Sequence, residues 1–99
     1  IIGNHSFIFE VKTITQKNII SQFRKAISQL LEYKWKLRNQ FNSPIILSVV
    51  TDKNPQNFAD KDFIQYLVED RELILLWEDG SELISHDGRT LEEILSQNS

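Results

Sequence analysis

Between Asn18 and Arg38, apolar residues recur at alternating intervals of four and three: Ile19, Phe23, Ala26, Leu30, Tyr33 and Leu37. A helix of 3.6 residues per turn places all six on one stripe, so this segment is predicted as a long helix with one face committed to a core. The neighbouring stripe, Asn18, Gln22, Lys25, Gln29, Glu32 and Lys36, is wholly polar, while Ile20, Ile27 and Leu31 widen the apolar arc on the other side. Such a face needs a flat apolar partner, and the flanking segments supply one. Phe7-Ile8-Phe9-Glu10-Val11-Lys12 has the aromatic and β-branched content of a strand. Alternation sends Phe7, Phe9 and Val11 to one side and Ile8, Glu10 and Lys12 to the other. Ile45 to Val50, after the break at Asn42-Ser43-Pro44, is a short apolar run of the kind buried on both faces, and Leu73 to Trp77 is another.

The remaining segments read as punctuation and short elements. Gly3-Asn4-His5-Ser6 is expected to turn, with Ile1-Ile2 as the stub of an earlier strand. Asn54-Pro55 marks a loop, and Asp60 is placed to cap a helix running through Phe63, Ile64, Leu67 and Val68. Asp79-Gly80 has the two-residue hairpin signature, with Glu82-Leu83-Ile84 returning. Thr90 and Glu93 have capping-box spacing for a last short helix. Strand, helix, strand, helix, strand, hairpin and helix together imply an α/β fold: a mixed, mostly parallel sheet flanked by helices. There is no repeat or internal linker, so residues 1–99 are expected to form a single domain.

Composition narrows the function. Ten aromatic residues and many Ile, Leu and Val exclude a disordered chain. The absence of Cys excludes disulfides and Cys-based zinc sites. No apolar run approaches the ~20 residues of a membrane span, and no export signal opens the chain, so no membrane partner is expected and the cytoplasm is the expected location. A chain without Met that starts at Ile1 is expected to be a fragment of a larger domain. Charge is divided: residues 1–50 carry seven bases and two acids, residues 51–99 four bases and twelve acids. Such a division suits either a surface that meets a polyanion or two solvated faces of opposite sign.

Glu10 and Lys12 carry the chemistry. Two apart on a strand, they project from the same face, about 6.7 Å apart at their Cα atoms, and their heads can converge. A carboxylate there can ligate Mg²⁺, and an ammonium can hold a water and stabilise charge building on phosphate. A second acid-x-Lys triplet, Glu32-Tyr33-Lys34, lies inside the long helix, where this arrangement is lost.

A strand ending in Glu10-Val11-Lys12, a helix carrying Gln29-Leu30-Leu31-Glu32-Tyr33 and then an apolar strand resemble the second half of the PD-(D/E)XK nuclease superfamily. The helix motif is similar to the Gln-hydrophobic-x-x-Tyr signature of RecB-type members, and the layout resembles excision-controlling factors of mobile elements. The resemblance covers roughly residues 7–78. It implies a restriction-endonuclease-like core lacking its N-terminal helix and strands, and a DNA endonuclease using Mg²⁺ or Mn²⁺. It places metal ligation on the Glu10 carboxylate and the Val11 carbonyl, water activation on Lys12, and orientation of the site on Gln29 and Tyr33. The superfamily also has an Asp on the preceding strand, whereas the nine residues before Glu10 contain no acid. Either an upstream Asp completes the site, or the fold is degenerate and serves as a nucleic-acid or protein binding module. A nucleotide-binding sheet is disfavoured because no Gly-rich loop follows any strand.

Around this centre, Arg24 and Lys25 are the expected DNA contacts; Lys34, Lys36 and Arg38 can also meet phosphates, though a solvated helix face suits Lys34 and Lys36 better. Tyr33 is expected to bury its ring in the apolar stripe. Gln29 borders that stripe, where a structural hydrogen bond competes with a role in the site. Trp35 suits packing against protein or stacking on a base. His5 and His86 are expected on surface turns, and Asp60, Asp62, Glu69, Asp70 and Glu72 on solvated helix edges. A missing first strand also implies an open sheet edge able to pair with a second copy.

Overall fold

A computed structural model describes residues 6–41 and 44–97. The expected stub and turn at residues 1–5, including His5, and the break at residues 42–43 lie outside them. Strand β1 (Ser6–Lys12) leads through a corner into helix α1 (Ile19–Leu37), followed by β2 (Ile45–Thr51). A 3₁₀ turn (Pro55–Asn57), helix α2 (Lys61–Gln65) and a π-helical turn (Tyr66–Asp70) connect to β3 (Ile74–Asp79). Strand β4 (Glu82–Ser85) and helix α3 (Leu91–Gln97) complete the described chain. The sheet order is β1-β2-β3-β4, with the first three strands parallel and β4 antiparallel to β3. The mixed, mostly parallel α/β architecture expected from the sequence is the one observed.

Strand register fixes the faces. Glu10 pairs with Val49 and Val49 with Leu75; Lys12 pairs with Thr51 and Thr51 with Trp77. Val49, Leu75 and Trp77 belong to the main core cluster with Ile19, Phe23, Ala26 and Leu30 of α1. The side of β1 bearing Ile8, Glu10 and Lys12 is therefore the side that α1 covers. The α2 segment joins the same layer, where the Phe63 ring meets Phe23 edge-on at 6.1 Å. Leu76 and Ile94 are also buried but lie outside this cluster. On the reverse face of β1, the Phe7 and Phe9 rings stack at 6.0 Å and Val11 is 71% exposed. Among the described residues, no strand pairs with the outer edge of β1.

Several local expectations need correction. Tyr33 is not in the core: it is 42% exposed, and burial along the α1 stripe is complete only as far as Leu30. From Leu31 to Lys36 every residue of α1 is exposed and Leu37 is only partly covered, so the core contact of the helix ends at Leu30. This end of the helix carries Trp35, 65% exposed, with the Arg38 guanidinium 3.6 Å from the indole centre. Ser6 begins β1 rather than ending a turn. The hairpin loop is Gly80-Ser81, one residue later than expected, because Asp79 pairs with Glu82; Gly80 has a φ of +66°, which its lack of Cβ permits. His86 is half-buried rather than on the surface, and its Nδ1 accepts the Leu75 N–H at 3.3 Å.

Both expected caps form. Asp60 Oδ1 accepts the Phe63 N–H at 2.8 Å, and Thr90 Oγ1 accepts the Glu93 N–H at 3.2 Å. Beyond α2 the backbone widens into the π turn, where the Arg71 N–H reaches Tyr66 O at 3.0 Å and the Leu73 N–H reaches Leu67 O at 3.0 Å. The exit passes through Glu72 at a φ of 55°. The expected helix thus exists through Leu67 and Val68, but its second half is not α-helical.

Candidate active site

At the C-terminal end of β1, Lys12 Nζ lies 3.6 Å from Glu10 Oε1, and the two side chains are only 15% and 18% exposed. Their position follows from strand alternation: a stripe that begins with Ile8 in the core continues upward into a carboxylate and an ammonium. Across the ladder they face Val49 and Thr51, both fully buried. Thr51 turns its hydroxyl away, donating to Lys53 O at 2.7 Å. At 3.6 Å the two charges attract without a short hydrogen bond, so the pair is held but both heads retain bonding capacity.

Helix α1 returns antiparallel to β1, and its flank toward the β1 side is marked by Gln22, whose Nε2 donates to Thr13 O at 3.0 Å. Gln29 is two turns further along the same flank, about 10 Å in axial rise. That distance equals about three strand residues, which brings Gln29 down from the level of Thr13 to that of Glu10. Gln29 Oε1 is buried and has no hydrogen-bond partner. An unsatisfied buried amide oxygen costs about 1–3 kcal/mol, so it marks a place where a donor is wanted.

The other sequence candidates are distributed less favourably. Tyr33 lies a further turn along α1, beyond the level of Glu10, and is 42% exposed. The Val11 side chain points to the opposite face from Glu10 and Lys12. Lys25 is exposed, four residues from Gln29 and on the same side of the helix. Arg24 is exposed too, but lies toward α2, where it lines a cavity of about 310 Å³ with Ile27, Phe63 and Tyr66. It is not brought to the Glu10–Lys12 pair. Lys36 is tied to Glu32 at 3.0 Å, which holds its ammonium above the usual lysine range.

Two contributors were missed. Gln22 appeared only as one member of a polar stripe. Asp52 follows Thr51 at the end of β2, and its Oδ1 accepts the Ile14 N–H at 3.0 Å. That bond, opposed by partial burial and reinforced by Lys53, holds the Asp52 carboxyl below the usual carboxylate range. A clue was legible: a carboxylate at the carboxyl end of a buried parallel strand sits where α/β sheets place their sites.

A metal site needs more donors than these. Mg²⁺ takes near-octahedral oxygen coordination, and among the described residues no group of three His, Asp or Glu side chains is placed to hold a metal ion. Glu10 and the Val11 carbonyl would supply part of such a set, not the whole. A cavity of about 530 Å³ lies elsewhere, between the α2 segment and the end of β4, lined in part by Ala59, Ile64, Val68 and His86. Its walls are mainly apolar, and it shares no residue with the charged pair.

No helix among the described residues is long and apolar enough to cross a membrane. The family model described as XisH protein matches residues 3–84 of the chain. No curated protein and no solved structure matches it.

Proposed function

The chain belongs to the XisH family, and from that starting point we propose that it carries the carboxylate–lysine half of a metal-dependent DNA endonuclease of PD-(D/E)XK type. The observation that supports this most is the Glu10–Lys12 pair, mostly withdrawn from water on the helix-covered face of an α/β sheet. Charged groups are rarely covered without a reason, because desolvation offsets much of what pairing gains. Hydrophobic residues at those positions would extend the stripe begun by Ile8.

In this reading Glu10 supplies a charged oxygen to Mg²⁺ or Mn²⁺. Lys12 orients the attacking water and neutralises charge on the phosphate oxygens. The unsatisfied Gln29 oxygen accepts a hydrogen bond from water in the same space, and Lys25 lies where it can meet a DNA phosphate. Arg24, turned toward α2, and Tyr33, a turn beyond Gln29, have no direct part in this reading. Among the described residues no group of three His, Asp or Glu side chains is placed to hold the metal, so the proposal includes at least one further acid besides Glu10.

The test is DNA cleavage by the full-length natural protein with Mg²⁺, with Mn²⁺ and with chelator. Cleavage that requires the metal and disappears in Glu10→Ala supports the reading; metal-independent cleavage or an active Glu10→Ala protein defeats it. A second reading, a catalytically degenerate module that binds nucleic acid or protein, is favoured by the incomplete donor set. It predicts DNA or protein binding that is unchanged by chelator, with no cleavage under any metal.

A further inference from the structure

Beyond Lys12 the chain leaves the sheet and reaches α1 through six residues, Thr13 to Asn18. The first two are gripped from three directions. Asp52 Oδ1 accepts the Ile14 N–H at 3.0 Å, Gln22 Nε2 donates to Thr13 O at 3.0 Å, and Lys53 Nζ approaches Ile14 O at 3.4 Å. The Ile14 side chain is fully buried in the main core. Thr51 is the last β2 residue paired with β1, opposite Lys12. Asp52 therefore continues the strand connection by side chain where the backbone ladder ends.

We infer that Asp52, with Gln22 as a second holder, is a positioning residue for Lys12, fixing the backbone two residues beyond the lysine so that its ammonium stays beside Glu10. The inference rests on the reading of Glu10 and Lys12 as the reactive pair. Its logic is mechanical. A lysine at the last rung of an edge strand shares the motion of whatever follows it, and here a carboxylate–amide bond and a buried isoleucine stop that motion. Lys53 lies 3.6 Å from Asp52 Oδ2 and reinforces the hold without being needed for it.

The test compares wild type, Asp52→Ala, Asp52→Asn and Gln22→Ala in the full-length protein. Asn keeps a carbonyl oxygen that can accept the Ile14 N–H, whereas Ala does not. Misplacement by about 1 Å can cost about 100-fold in rate, so Asp52→Ala is expected to lower kcat by about 10- to 100-fold with KM little changed. The same variant is expected to speed Ile14 amide exchange by about tenfold or more, as a lost protecting bond does, and to shift the NMR signal of the Lys12 ammonium. Asp52→Asn is expected to recover kcat to within a few-fold, and Gln22→Ala to fall between. If Asp52→Ala does not fold, Asp52→Asn and Gln22→Ala carry the comparison.

Wild-type kcat in Asp52→Ala, unchanged Ile14 exchange, or an Asn variant as impaired as Ala would overturn the inference. If wild type does not cut DNA while Ile14 exchange and the Lys12 signal still respond to Asp52→Ala, the endonuclease reading fails and the positioning role stands.

Discussion

Replacing Lys12 with Met would leave the Glu10 carboxylate facing α1 and β2 without its counter-charge. Breaking a fully buried ion pair typically costs 3–5 kcal/mol; here both side chains keep a wet fringe, 15% for Lys12 and 18% for Glu10, so about 1–3 kcal/mol is expected. Replacing both partners, Glu10→Leu with Lys12→Met, removes the stranded charge and extends the apolar stripe that starts at Ile8. The double variant should therefore be within about 1 kcal/mol of wild type, or more stable. Urea unfolding of wild type, both single variants and the double variant gives the coupling directly, provided the slope stays constant across the set. A pair kept for chemistry shows costly single replacements, a tolerated double replacement and complete loss of cleavage in the double variant. A double variant destabilised by the sum of the two single effects would refute the reasoning, because the charges would then each serve the fold independently.

Leu30→Ala should cost about 2–5 kcal/mol, as a core truncation does, while Tyr33→Ala three residues on should cost about 0.5 kcal/mol or less; equal losses in urea unfolding would contradict a core contact that ends at Leu30. The His86 imidazole is held below its ordinary value of 6.5, chiefly by burial, with Asp87 opposing, so the unfolded chain takes up its proton first as pH falls. Stability from this residue is present above pH 6.5 and is lost below it; urea midpoints flat between pH 7.5 and 5.5, or a slope retained in His86→Leu, would exclude that account. The open edge of β1, with Val11 exposed beside it, should pair with a second copy at high concentration and lose that pairing in Val11→Lys; sedimentation as a strict monomer at high concentration would count against it.

Where hydrophobic period and local chemistry agreed, the sequence was sufficient. The Ile19 to Leu30 stripe, the Asp60 cap and the Thr90–Glu93 box each follow from local rules and were found where expected, and the alternation of strands and helices gave the mostly parallel sheet. Tyr33 falls on the stripe yet outside the core because periodicity reports which side of a helix a residue occupies, not whether anything packs against that side there. The hairpin shifted because Asp-Gly signals a turn without fixing the register of Glu82 against Asp79. The π turn after Gln65 has no periodic signature, and the tucked His86 depends on the backbone of a strand eleven residues earlier. The site shows the same division. Glu10 and Lys12 were legible as neighbours because strand geometry is local, whereas Asp52 meets Ile14 across 38 residues and only the paired strands bring them together.

The most direct measurement is Mg²⁺-dependent cleavage of DNA by the full-length protein and its Lys12→Ala variant, compared at matched folded fraction. A folded variant that binds DNA but leaves it uncut, beside a wild type that cuts it, is the result expected of a lysine that acts on the scissile phosphate. Undiminished cutting by Lys12→Ala would contradict the assignment of the β1 pair as the reactive centre.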